Sequence, residues 1–343
     1  MSLNYYLVIF FASFIFCCLI VSPIRKFAIK RQILDHPDAI RKLQKTPVPY
    51  LGGIALLISI CTVYLFSNIY LSEKSVIQAM NLVFLAPIVI LGLIGLIDDL
   101  YALSPKFRLV VQTGIAFVTC VVFSTQNSLI QILDIEFLNL LLSTLWIVFV
   151  TNAINFIDNI DAAASGTVIA ISIGLLIISI RENQLIISST VLMILGSTLG
   201  FLYWNWPPAQ IYLGDSGTFF LGSLLAIVSI KTDPIQDLRP YSVAIILMLF
   251  ALPILDSSTT IISRISKKQS PIKSGRDHLA HRLIYLGYSE LKTIKIILAI
   301  NFYFVLSGLL VYHLKGYVSL LLMTTSLIFF ILLAMKSLSI RLP

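Results

Sequence analysis

The chain has 343 residues, 58% of them hydrophobic and 12% charged, with mean hydropathy +0.96 and a formal net charge of +8. A soluble domain of this size needs a far more charged surface, so the composition excludes that class and points to a polytopic membrane protein. The basic residues are spread over several loops without a nucleic-acid motif, so no nucleic-acid partner is expected.

About 20 apolar residues cross ~30 Å of hydrocarbon. That rule predicts eleven spans, at 5–22, 51–71, 79–97, 107–126, 137–154, 162–180, 185–205, 216–230, 241–262, 291–313 and 317–335. The first span is too long for the apolar core of a cleaved leader and is followed by "RKFAIKR". It reads as an uncleaved anchor with the N-terminus outside. Cys17, Cys18, Cys61 and Cys120 fall inside spans and read as small apolar fillers.

Eleven spans put the termini on opposite sides. One side receives loops near 23–50, 98–106, 155–161, 206–215 and 263–290 and the C-terminal tail. With the helix-start residues Arg108, Lys292 and Lys295 it holds 19 of the 24 Lys and Arg, so it is predicted to be cytoplasmic. The expected fold is therefore an all-α integral membrane bundle of about eleven helices, forming a single catalytic domain over 1–343. Six of the 16 acids, Asp98, Asp99, Asp158, Asp161, Asp215 and Asp256, lie at the cytoplasmic ends of predicted spans. Any one of them could be an interface marker, but six on one face call for a bound cation, the basic loops, or both.

Four stretches carry the chemistry. "GLIDDLYALSPKFR" sets Asp98 and Asp99 at the end of the third span, with Lys106 beyond them. Adjacent helical residues point about 100° apart, so the two carboxylates serve different partners. "NAINFIDNIDAAASG" spaces Asn155, Asp158 and Asp161 so that one helical face could present all three; a polar cap between two helices is the plainer alternative for Asp161. "YLGDSGTFFLG" places Asp215 after a glycine at a helix start, where an N-cap explains it almost as well as a ligand site. "RISKKQSPIKSGRDHLAHRLIYLGYS" gathers Arg264, Lys267, Lys268, Lys273, Arg276 and Arg282 with His278 and His281. HxxH without a third ligand is weak evidence for zinc, and hydrogen bonding to phosphate suits the set better. Its "HLAHRLIYLGY" portion mixes apolar and basic residues at near-helical spacing and reads as a short amphipathic segment. Acids around a hard cation, with cationic loops above, suit phosphoryl transfer at a membrane surface.

Taken together and in this order, "DHPDAIRKLQKTPVPYLGG", the three acidic motifs and "RDHLAHRL" resemble the bacterial polyprenyl-phosphate N-acetylhexosamine-1-phosphate transferases. The resemblance runs from Asp35 to Leu283. It implies a UDP-N-acetyl sugar donor, undecaprenyl phosphate in the bilayer as acceptor, Mg2+ (with Mn2+ as the alternative ion), release of UMP, and a place in the bacterial inner membrane. A homodimer is compatible with it. Carried over by motif, Asp98, Asp99, Asp158 and Asp161 fall at catalytic positions and Asp215 and Asp99 at metal positions. Lys106, Asn155, Arg264, His278 and His281 fall at substrate-binding ones. The sequence departs from the common pattern at Gln44, Asn159, Ala162 and Ala280, which bears on the sugar more than on the reaction. The phospho-MurNAc-pentapeptide transferases resemble it less, because their longer His-rich loop is absent. A cation- or proton-coupled secondary transporter is the rival from another class; its acids belong near mid-membrane, and these sit at span ends.

Overall fold

The computed structural model describes residues 3–35, 47–71, 75–125, 129–130, 135–232, 239–271, 275–314 and 316–340. Gln44, Lys273 and most of the "DHPDAIRKLQKTPVPYLGG" motif lie outside them. Thirteen helices are seen among these residues: α1 (Leu3–Lys30), α2 (Gly52–Leu71), α3 (Ser75–Tyr101), α4 (Pro105–Ser124), α5 (Glu136–Ile157), α6 (Ala163–Arg181), α7 (Leu185–Asn205), α8 (Gly214–Lys231), α9 (Arg239–Leu249), α10 (Ala251–Ser266), α11 (Leu279–Tyr285), α12 (Glu290–Leu314) and α13 (Gly316–Ser339).

Each predicted span corresponds to a helix, with three differences. The first helix does not stop at residue 22 but runs on through Pro23 to Lys30, the cations of "RKFAIK" favouring a helix C-terminus. The ninth span is two helices, α9 and α10, meeting at 72°. Pro253 accounts for the break: it has no N–H to give the Leu249 carbonyl, and its ring would collide with that group in a continuous helix. The third difference is a β element in an otherwise helical chain, Leu34–Asp35 (β1) paired antiparallel with Val48–Pro49 (β2). Among the described residues eight helices are long and apolar enough to cross a membrane, or nine with the bent pair. The protein is thus a multi-pass membrane protein.

Lipid gives helices no hydrophobic reason to associate, so close packing of small residues decides which sit inside. Helices α6, α7 and α8, rich in Ser, Gly, Ala and Thr, form the centre and are buried along most of their length, whereas α13 and α1 are mostly exposed. Around them α1 packs on α7, and α3 and α5 both pack on α8. Hydroxyls and an indole N–H join the layers, as in Ser59 Oγ to Ser197 Oγ at 3.0 Å and Trp146 Nε1 donating to Ser229 Oγ at 2.9 Å.

One strap of backbone positions the start of α8. Tyr212 N donates to Pro49 O at 2.8 Å, and Gly52 N and Gly53 N donate to Tyr212 O and Leu213 O at 2.9 and 2.8 Å. The residues after β2 are thereby stitched to those that lead into Asp215.

Candidate active site

Two helix ends and two helix starts converge: the C-termini of α3 and α5 and the N-termini of α4 and α8. Ser104 begins α4, its hydroxyl accepting from Phe107 N at 3.3 Å with Pro105 at the first helical position. This sharp restart after α3 turns Arg108 back toward Asp98. The Arg108 guanidinium pairs with Asp98 Oδ2 and, through the same nitrogen, donates to Asp215 Oδ2 at 2.9 Å. The other oxygen of Asp98 accepts from Leu103 N at 2.7 Å, which fixes the α3–α4 turn. Asp215 Oδ1 accepts from Asn155 Nδ2 at 2.6 Å, and the same amide donates to Thr218 Oγ1 at 2.9 Å. A single cation thus joins two carboxylates, with an amide bracing the second.

Asp99 does something else. Its Oδ1 accepts from Asp215 N at 2.8 Å and its Oδ2 from Ser216 N at 3.0 Å. Leu213, the residue at the N-cap of α8, supplies no side-chain cap, so Asp99 caps α8 from a different helix. The approach is close enough to demand glycine at two places. A Cβ on Gly95 would collide with the Asp215 carbonyl, and one on Gly214 (φ +73°) would lie 2.7 Å from Asp99 Oδ2.

Asp158 and Asp161 continue the acidic line, though not on one helical face as the spacing suggested. Helix α5 ends at Ile157, Asp158 is its C-cap with φ −75° and ψ 51°, and Asp161 lies in the following turn. Asp161 Oδ2 accepts from Ala209 N at 2.7 Å. Burial, then the charges of Asp161 and Asp99, push the Asp158 carboxyl up to about 7. Ala162 follows in the left-handed region (φ 62°), its N–H donating to Asn205 Oδ1 at 3.1 Å. That backbone explains why a glycine suits the position.

A second cluster lies beside the first across Phe156. Asp256 of α10 accepts from Leu279 N at 2.6 Å, capping α11 from outside, and meets His278 Nδ1 at 2.8 Å. Arg264 Nη2 stands 3.4 Å from His278 Nε2. A guanidinium can only donate, so Nε2 is the acceptor and the Nδ1 proton faces Asp256. Arg264 is only 2% exposed; its Nε donates to Asp277 Oδ2 at 3.2 Å and its Nη1 to Pro271 O at 3.0 Å. Burial raises the Asp277 carboxyl, but the Arg264 hydrogen bond and Lys267 outweigh that and hold it below its ordinary value. The Phe156 ring sits 5.4 Å from the His278 ring and 5.5 Å from the Arg264 guanidinium. His281 is near His278, ring centroids 5.9 Å apart, and burial, then His278 and Arg276, depress it to about 4. Arg282 ties this segment to the end of α13 through Ser337 O and Ile340 O, at 2.8 and 2.7 Å. Asn159 and Ala280, two departures from the common pattern, line one cleft with Asp256 and Leu279.

Of the sequence-derived candidates, Asp98, Asp99, Asn155 and Asp215 are brought together, and Arg264, His278 and His281 form the neighbouring cluster. Lys106 is exposed at the start of α4, and Arg108, two residues on, is the cation that reaches the carboxylates. In the sequence Arg108 is one basic residue among many, and Asp256 is one of six span-end acids with no partner in sight. An acid within a mostly apolar helix, three residues after a proline, was the available signal for Asp256.

A glycosyl transferase family 4 model matches residues 81–233, which hold the whole Asp98–Arg108–Asp215 group. A probable undecaprenyl-phosphate N-acetylglucosaminyl 1-phosphate transferase of Bacillus subtilis is 31% identical over 335 residues, covering 96% of this chain and 91% of the relative. The chain belongs to the polyprenyl-phosphate N-acetylhexosamine-1-phosphate transferases. An undecaprenyl-phosphate alpha-N-acetylglucosaminyl 1-phosphate transferase of Thermotoga maritima is 28% identical over 292 residues, covering 84% of this transferase and 86% of the relative. A phospho-N-acetylmuramoyl-pentapeptide-transferase of Streptococcus agalactiae is 30% identical, over 57% of this transferase and 62% of the relative.

Whether the site suits a divalent ion depends on its donors. Among the described residues no three His, Cys, Asp or Glu side chains gather to hold a metal unaided. Mg2+ commonly takes one or two carboxylates and fills its shell with phosphate oxygens and water. Asp98 and Asp215, hard-oxygen donors sharing one guanidinium, fit that demand.

Proposed function

We propose that this transferase moves N-acetylhexosamine-1-phosphate, with GlcNAc-1-phosphate the favoured group, from a UDP-sugar to undecaprenyl phosphate. UMP is released and a lipid-linked envelope glycan is begun. The observation that carries the proposal is the cation shared by Asp98 and Asp215 where α3, α4, α5 and α8 meet. Such a junction, set at helix ends and flanked by the Arg264–His278 cluster, can hold a diphosphate while a lipid-anchored phosphate approaches. The near-complete match to relatives named as GlcNAc-1-phosphate transferases supports the donor. The excess of Lys and Arg in loops on one side supports eleven crossings with this site at the cytoplasmic face of the inner membrane.

In this mechanism the acceptor phosphate oxygen attacks the sugar-bearing phosphorus in line, and UMP leaves. Arg108 offsets charge on the phosphates; Asn155 holds Asp215 in place; Asp99 fixes the α8 N-terminus, whose remaining amides face an anion favourably. Asp158, titrating near neutrality, accepts the acceptor phosphate's last proton, a modest task because such a proton ionises at about 6. Arg264, His278 and His281, with Lys106 at the rim, bind the donor, and Asp161 holds the turn beside it. Mg2+ would be held by Asp215 with Asp98, and with Asp99 through its remaining lone pairs, and would disperse charge on the diphosphate.

The full chain, purified in nanodiscs with undecaprenyl phosphate, UDP-GlcNAc and MgCl2, should release UMP, and EDTA should stop it. No UMP from any UDP-N-acetylhexosamine would overturn the proposal. UDP-MurNAc-pentapeptide, offered in parallel, should give none, in keeping with the partial match to those transferases.

A further inference from the structure

Helix α4 carries the bridging Arg108 and packs mainly on α5. One turn further into the membrane, at i+4 from Arg108, lies Gln112, 1% exposed. Across from it on α5, three residues before Asn155 and on the same face, is Asn152. Its Nδ2 donates to Gln112 Oε1 at 2.7 Å and to its own helix at Val148 O, 2.8 Å. Gln112 Nε2 is buried without a hydrogen-bond partner. An amide pair that leaves a buried donor unsatisfied is a poor device for stability alone, because the orphan group offsets much of the gain. It is a good device for register. Sliding α4 along α5 by one residue, about 1.5 Å, would break the pair and carry Arg108 away from Asp215 and Asn155 together.

We propose that Gln112 and Asn152 are positioning residues for the transfer reaction, fixing α4 on α5 so that Arg108 bridges Asp98 and Asp215. This rests on the transferase mechanism above for its effect on turnover, but not for its effect on register.

Two measurements test it. In UMP release, Gln112→Leu and Asn152→Leu should each lower kcat about tenfold, with the double variant no worse than either single one, since misplacement of a charge-bearing group acts on the chemical step. KM for the UDP-sugar should stay within about twofold and thermal unfolding nearly unchanged, because one interhelical hydrogen bond in a membrane contributes little to stability. The exchange Gln112→Asn with Asn152→Gln, which conserves the combined side-chain length, should restore kcat to within about threefold. Unchanged kcat in the leucine variants, or a fall tracked by unfolding and not rescued by the exchange, would overturn the proposal.

The second measurement does not use turnover. Cys120 of α4, two turns from Gln112, lies beside Thr144 of α5. With Cys17, Cys18 and Cys61 replaced by Ala, a Thr144→Cys variant should cross-link to Cys120 under mild oxidation. Gln112→Leu should slow that cross-link several-fold and the exchange should restore it. An unchanged rate would overturn the register claim, whereas a changed rate in a protein that releases no UMP would count against the transferase mechanism alone.

Discussion

Arg108 and Asp215 stand 107 positions apart in the chain and 2.9 Å apart in space, and the same Arg108 nitrogen also pairs with Asp98. Three helices thereby depend on one guanidinium for the charge balance of their ends.

Removing that guanidinium should be felt first in turnover. Arg108→Ala is expected to lower UMP release about 100-fold, the scale of losing one preorganised electrostatic contact to a reacting phosphate. Arg108→Lys should recover only part of it, since both contacts run through Nη1, a position that the shorter lysine side chain does not reach. Equal activity of the lysine variant and the native protein would show that the reach of Arg108 to both carboxylates is not what matters.

Asp99→Ala should destabilise the fold by about 1–2 kcal/mol, as loss of a helix cap does, and should also abolish transfer. Asp99→Asn keeps one acceptor for the two α8 amides and should fall between. Thermal unfolding in detergent separates the two effects; an unfolding midpoint unmoved by Asp99→Ala would contradict the capping role.

Two groups should give the protein opposing pH responses. Asp158 holds its proton up to about 7 in the fold against 3.8 ordinarily, so the unfolded chain ionises first. Its contribution falls as pH rises between those values. His281 resists protonation down to about 4 against 6.5 ordinarily, so its contribution falls as pH drops through that interval. In Asp158→Asn the unfolding midpoint should climb more steeply from pH 4 to 6.5, and in His281→Gln it should climb less. Profiles that match the native one in both variants would refute the assignments.

Ala162→Gly should raise stability by up to about 1 kcal/mol, because a left-handed backbone strains alanine more than glycine's extra chain entropy costs. Its N–H bond to Asn205 is kept in that variant, so UMP release should be unaffected. A lower unfolding midpoint would mean that the alanine methyl contributes more packing than the backbone costs.

Apolar run length made the helices legible in the sequence, because a bilayer-crossing segment must satisfy its backbone internally. The break between α9 and α10 was missed because a hydropathy window responds to composition, whereas Pro253 acts through one absent N–H and one steric clash. Among site residues the aspartates stood out because carboxylates are conspicuous in an apolar chain. Arg108 did not, since on a strongly basic face one more arginine carries no signal until its partners are placed. Asp256 was visible as an acid, but its attachment to His278 and the Leu279 amide belongs to a contact between α10 and α11. The division of labour between neighbours Asp98 and Asp99 was anticipated from helix geometry alone, though their partners were not.

The borrowed caps at α8 and α11 have a consequence for biogenesis. A chain threaded into the bilayer segment by segment carries two raw amino ends, at Asp215 and Leu279, until α3 and α10 dock. On the proposed mechanism, completion of the tertiary structure and creation of the reaction centre are then one event. A half-assembled polypeptide has no working centre with which to spend nucleotide sugar.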